Sequence, residues 1–271
     1  MQIISVVHSR LSLTLLSKIS SKFLLRDKSD RIVRLGSKYG GWNFCECADH
    51  LHEEGIYIGV GVGEDISFDT EILNRTKMNA VLLDPTQRAK QHVARYLSRT
   101  DERHSQAYSS GGEQEPLNYL FHMDFRERIR FINKALWIND GGILLDRPRN
   151  AAHVSYQHES IRNGKDVVSE RFETLSLMQV RETIVANFGY HDAAMIKLDI
   201  EGCEIEIVKQ NGCNWLNADQ LLIEFDFLRS KMSLKKVYKY LLVMRKLKAI
   251  NFRLAHIEGL NYLFLRELRE Y

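Results

Sequence analysis

From Ile56 to Val62 the chain is almost continuously apolar and β-branched, and Ala80 to Leu83 repeats the pattern, so both stretches read as buried strands. Between and after them the apolar positions shift to helical spacing, near Phe68 to Lys77 and near Gln87 to Leu97, which predicts a βαβα beginning. The polar stretch Arg99 to Pro116 breaks this alternation and predicts a surface loop, placed as a lid over whatever binds beneath it. IRFINKALWI, ILLDRP and HVSYQ then read as extended structure, with a tight hairpin turn at Asn139, Asp140, Gly141 and Gly142. A helix from near Leu177 closes at Phe188-Gly189, and Ala194 to Leu198 is a short buried strand interrupted only by Lys197. Helix Cys203 to Lys209, strand Leu221 to Phe225 and helix Leu234 to Lys246 follow, before Phe252 to His256 and Tyr262 to Leu265 fold back around Glu258-Gly259. This order predicts an α/β fold: a mostly parallel sheet with helices on both faces, finished by a C-terminal antiparallel strand hairpin.

Ahead of these elements, Ile3, Ile4, Val7, Leu11, Leu15, Ile19 and Phe23 alternate with Arg10, Lys18, Lys22 and Arg26, with no acid before Asp27. Residues 1–34 therefore form a basic amphipathic segment before a domain spanning 35–271. Arg10 and Lys18 interrupt it too often for a spanning helix, which needs about 20 mainly apolar residues. The segment is expected to cap the domain with its apolar face, or to make peripheral membrane or partner contact through residues 1–26.

Size and charge narrow the classes. A chain of 271 residues suits one large domain better than two, and a formal charge of +3 gives no overall reason to expect nucleic acid. The four cysteines, Cys45, Cys47, Cys203 and Cys213, resemble neither a disulfide framework nor a four-ligand zinc site, so a reducing, cytoplasmic setting is the default. Cys45 and Cys47 flank Glu46 without a second close pair, and no metal centre is expected from them.

In an open sheet, ligands collect beyond the carboxyl ends of the central strands. Gly59, Gly61 and Gly63 alternate at the first such end, where a turn without Cβ atoms lets a ligand lie against backbone amides. Glu64, Asp65 and Ser67 follow as the next helix begins. Asp84 ends the strand VLLDP about 20 residues past the glycines, where a carboxylate can accept from both hydroxyls of a ribose. The spacing Gly-x-Gly-x-Gly departs from the dinucleotide fingerprint, and Glu64 and Asp65 would repel a pyrophosphate. They suit a ligand with a cationic amino or sulfonium group, and S-adenosylmethionine carries both.

Two carboxylates at a later strand end, Asp199 and Glu201, are candidates for orienting an acceptor, removing its proton or, with Glu224, helping to hold a divalent ion. His153, with Ser155 and His158 nearby in sequence, is a third catalytic candidate because imidazole titrates near neutrality. Lys197 reads as a structural partner for Glu224 on the neighbouring strand.

GVGEDISFD, LLDPTQRA, INKALWINDGGILLDRP with HVSYQHES after it, and above all KLDIEGCE at Lys197 to Glu204 resemble the FkbM-type methyltransferases, in order over roughly Leu35 to Arg266. The resemblance implies a class I, Rossmann-like, S-adenosylmethionine-dependent fold that methylates a hydroxyl on a sugar or other small metabolite. Many members of that family carry Asp before the first loop glycine, where this chain has Tyr57 and Ile58 ahead of Gly59, so Glu64 or Asp65 takes over the contact to the cofactor's amino group. Two other classes stay open: a non-catalytic binding module, and an NAD(P)-dependent oxidoreductase or epimerase. Against the latter stand the absent Tyr-x-x-x-Lys pair and the lack of a second domain.

Overall fold

The computed structural model describes residues 23–24, 31–47, 51, 53–101, 107–148, 156–158, 168–210, 215–229 and 233–267. Apart from Phe23 and Leu24, the expected N-terminal helix lies outside the described residues, as does His153. A seven-stranded sheet forms the centre. Its middle strands are β3 (Ile56–Val60), β4 (Asn79–Leu83), β5 (Ile129–Ile132), β10 (Met195–Leu198) and β11 (Gln220–Glu224). These pair in parallel, β11 beside β10, then β3, β4 and β5, while β13 (Asn261–Arg266) and β12 (Phe252–Glu258) continue the other edge antiparallel. Along β3 the pleat sends Ile56, Ile58 and Val60 into one hydrophobic cluster and Tyr57 into the other, which is why the whole strand is apolar.

The strand content is mixed, which corrects the mostly parallel sheet with helices on both faces. β13 is antiparallel to both of its neighbours, and among the described residues three two-stranded sheets stand outside the main one. The first joins β1 (Ile32–Leu35) antiparallel to β2 (Trp42–Cys45) and lies against β11 and β13, so extended chain covers a part of that face where a helix was expected. Trp42 and Phe44 of β2 enter the same cluster as Leu222, Leu263 and Leu265. Gln220 fixes the contact: its side-chain amide accepts from Cys45 N at 2.8 Å and donates to Cys45 O at 2.7 Å. Such short strands in a polar stretch leave little periodic signal, and the side-chain amide that locks them comes from the far end of the sequence.

A second correction concerns the expected hairpin at Asn139 to Gly142. β6 (Ala135–Leu136) and β7 (Ile143–Asp146) do not pair with each other. Instead β6 runs parallel to β9 (Thr174–Leu175), and β7 pairs antiparallel with β8 (Ser169–Phe172). The Thr174 hydroxyl separates them, donating to Asn139 O at 2.7 Å and accepting from Gly142 N at 3.0 Å.

Helices α1 (Ser67–Arg75) and α2 (Gln87–Leu97) fall where the sequence periodicity puts them, and Thr86 caps α2 by accepting from Ala89 N. α3 (Phe125–Arg128) is a single turn leading into β5. α4 (Leu177–Phe188) starts in a capping box made by Ser176 and Gln179 and ends on left-handed Gly189. α5 (Glu204–Lys209) and α6 (Leu234–Ala249) complete the helices of the described residues. None is long and apolar enough to cross a membrane. Cys45 and Cys47 are joined in a disulfide, although the cysteine spacing resembles no disulfide framework, and Cys203 is free and buried.

Candidate active site

The carboxyl ends of β3, β4, β10 and β11 open on one cleft of about 280 Å³. Gly61, Gly63, Glu64, Asp65, Asp84, Asp199 and Glu201 all line it, so seven of the sequence candidates meet in one place. Gly59 and Ser67 do not. Gly59 sits in β3, where an added Cβ would stand 2.5 Å from Asp69 Oδ1. Its missing side chain makes room for a buried group and not for a ligand. Ser67 is fully buried and accepts from Ser37 N at 2.7 Å.

Gly61 shows why the loop requires glycine. Its φ is +76°, and a Cβ there would run into the carbonyl oxygen of Asp199, so β3 and β10 approach closely at their ends. Asp199 N also donates to Val60 O at 3.0 Å, which ties the second acidic loop to the glycine turn. Gly63, also in the left-handed region, donates its N–H to Asp84 Oδ2 at 3.0 Å. Asp84 Oδ1 accepts from Thr86 N at 2.8 Å and Thr86 Oγ1 at 2.6 Å, so Oδ2 is the oxygen with acceptor capacity left over. Burial raises the pKa of Asp84 while the bonds from Thr86 and Gly63 pull it down.

Glu64 and Asp65 are more engaged than the sequence suggests. Arg88 of α2 pairs with Glu64 at 2.6 Å. Asp65 accepts from Ser37 Oγ at 2.6 Å and from Ser67 N at 3.0 Å, which starts α1. The described part of the expected lid is pinned across this turn. Gln114 donates its backbone N–H to Glu64 O at 3.0 Å, and Gly112 and Tyr39 form the rim. Tyr39, absent from the sequence candidates, has its phenol pKa raised by burial and by the charges of Asp199 and Glu201.

Next to the glycine turn, the charges of Asp199, Glu201, Glu204 and Glu224 all bear on Asp226. Asp199, Glu224 and Asp226 place ligand atoms within 4.8 Å of one another, a spacing that can take a divalent cation or a cationic group of a small ligand. Arg229 pairs with Glu224 and, through Nε, with Asp226 at 2.7 Å. Burial works against the Arg229 charge, yet Asp226 and Glu224 outweigh it and raise its pKa. Asp199 is pushed well up, first by burial and then by the repulsion of Glu224 and Glu201. Glu201 has φ +49° and is followed by Gly202 at φ +102°, an unusual backbone turn held at the strand end. Its carbonyl accepts from His158 N, and the His158 ring packs on Trp137 outside the cleft lining.

Glu204 is fully buried below this turn and accepts from Gly202 N at 2.8 Å. Burial raises its pKa to about 8. A carboxyl whose folded pKa lies above its unfolded value contributes stability that is fully present below the unfolded pKa and lost as pH rises through the folded one. Stability is therefore expected to fall between acid pH and pH about 8. Glu204→Gln, which stays neutral, should flatten that limb; denaturant midpoints of both proteins across the range check it, and parallel curves would reject the assignment.

Lys197 corrects another expectation. It pairs with Asp69 of α1 at 3.0 Å, not with Glu224, and Tyr57 OH donates to the other oxygen of Asp69 at 2.6 Å. All three side chains are buried, beneath the glycine turn. One part of the remaining wall is apolar: Ala135, Leu136, Ile143 and Leu145 from the small sheets, with Ile200 between the two catalytic candidates.

Compared with known proteins, the chain matches no family model, no curated protein and no solved structure.

Proposed function

We propose that the protein is an S-adenosylmethionine-dependent methyltransferase acting on a hydroxyl. The observation that carries this reading is the convergence of the Gly61–Gly63 turn and the Asp84 carboxylate on one cleft, joined by the Gly63 N–H, with Asp199 and Glu201 lining the same cleft. Asp84 Oδ2 suits a ribose hydroxyl, and the carboxylate side suits the cofactor's positive charges far better than a pyrophosphate. The cofactor brings the reactive methyl and a good leaving group; the protein's task is to align the acceptor and take its proton. Asp199 or Glu201 is the base in this scheme, each at the cleft and each a residue away from Ile200. The wall formed by Leu136, Ile143 and Leu145 favours an acceptor whose hydroxyl stands on an apolar body over a bare sugar.

Replacing Asp84 by Ala removes the acceptor of Gly63 N–H and of the ribose together, and should weaken S-adenosylmethionine binding by about 1–3 kcal/mol. Calorimetry on both proteins, with circular dichroism to confirm folding, reads this directly. Equal affinities would take Asp84 out of the site.

A further inference from the structure

We infer that the outward face of α6 docks on anionic lipid membranes. The helix holds Lys235, Lys236, Lys239, Arg245, Lys246 and Lys248 and no acidic residue. Its inner side, Tyr240, Val243, Met244 and Leu247, is buried in the core. Its outer side is not the polar face such a helix ordinarily shows: Leu234 is 91%, Tyr238 66% and Leu242 38% exposed. These three stand four residues apart and so form one row along the helix.

The lysines divide by position. Lys236 donates to Phe227 O at 3.0 Å, Lys246 donates to Lys209 O, and Lys239 lies 3.9 Å from Glu206, all turned towards the body of the protein. Lys235, Arg245 and Lys248 are exposed beside the apolar row. An apolar row rimmed by cations matches a surface that is negative at its headgroups and apolar just beneath them. The same charges would repel a second copy of this face, and a nucleic acid would leave Leu234 and Leu242 without a use. Leu24 bridges to Leu254 of β12, the strand α6 packs against, and Phe23 and Leu24 join the same hydrophobic cluster as the buried side of α6.

The test is co-flotation of the full chain with vesicles of phosphatidylcholine alone or with phosphatidylserine added. Binding is expected only with phosphatidylserine, and Lys235→Gln, Arg245→Gln and Lys248→Gln should each weaken it about fivefold. L234Q/Y238Q/L242Q, which touches only exposed positions, should lower it at least tenfold, with an unchanged circular dichroism spectrum. Absence of phosphatidylserine-dependent binding by the full chain overturns the proposal. So does full binding by L234Q/Y238Q/L242Q, which would assign the contact to residues 1–22. A dimer lost in that variant, without vesicle binding, would assign the face to a second copy instead. S-adenosylmethionine is absent from every arm, so none of these results depends on the methyltransferase reading.

Discussion

Lys197→Met should destabilise the protein by about 3–5 kcal/mol, because it removes the cation paired with the fully buried Asp69 carboxylate. Asp69 is 1% exposed, and after the change Tyr57 OH would remain on it among the described residues. The Lys197 ammonium also lies 5.8 Å from the centre of the Phe68 ring, so its apolar stem and its charge are both used. For a chain of this size the loss corresponds to a fall in Tm of about 10 °C. Restoring neutrality with Lys197→Met and Asp69→Asn together should recover part of it, since the cost comes mainly from the charge left behind. A Tm within about 1 °C of the parent for the single variant would show that the pair does not hold α1 to β10.

Asp199→Asn is expected to reduce methyl transfer by about 10²–10⁴-fold while leaving cofactor affinity in place, if this carboxylate removes the acceptor proton. Burial and the neighbouring Glu224 and Glu201 raise the Asp199 pKa, so the ionised base builds up only as pH increases. The parent's rate should therefore climb with pH on a limb that the Asn variant lacks. Labelled-methyl assays on an acceptor found by screening give both readings. A variant that keeps the limb would move the role to Glu201, which shares the cleft.

Much of this geometry was legible in local sequence. Strands β3, β4, β10 and β11 are short and almost wholly buried, so their apolar runs mark them directly. Because the cleft forms at their carboxyl ends, Gly61, Gly63, Asp84, Asp199 and Glu201 could be named from position alone. What failed depended on contacts between distant segments. Gly59 looked like a third loop glycine, but its space is taken by Asp69, a residue of the following helix. Strand adjacency points Lys197 to Glu224, whereas its partner, Asp69, stands on a helix over the sheet. The extended runs around Ala135 and Ile143 are legible, but not their partners, because β6 and β9 have two residues each and the Thr174 hydroxyl binds between β6 and β7. Tyr39 and Arg229 reach the site from a turn and a short 3₁₀ segment, where no periodicity announces a direction.

Titration calorimetry of the purified full chain with S-adenosylmethionine, and separately with NAD, tests the central claim most directly. One site saturating with S-adenosylmethionine, no heat with NAD, and loss of affinity in Asp84→Ala are the expected results. No binding of S-adenosylmethionine, or preferential binding of NAD, would contradict the assignment of this cleft.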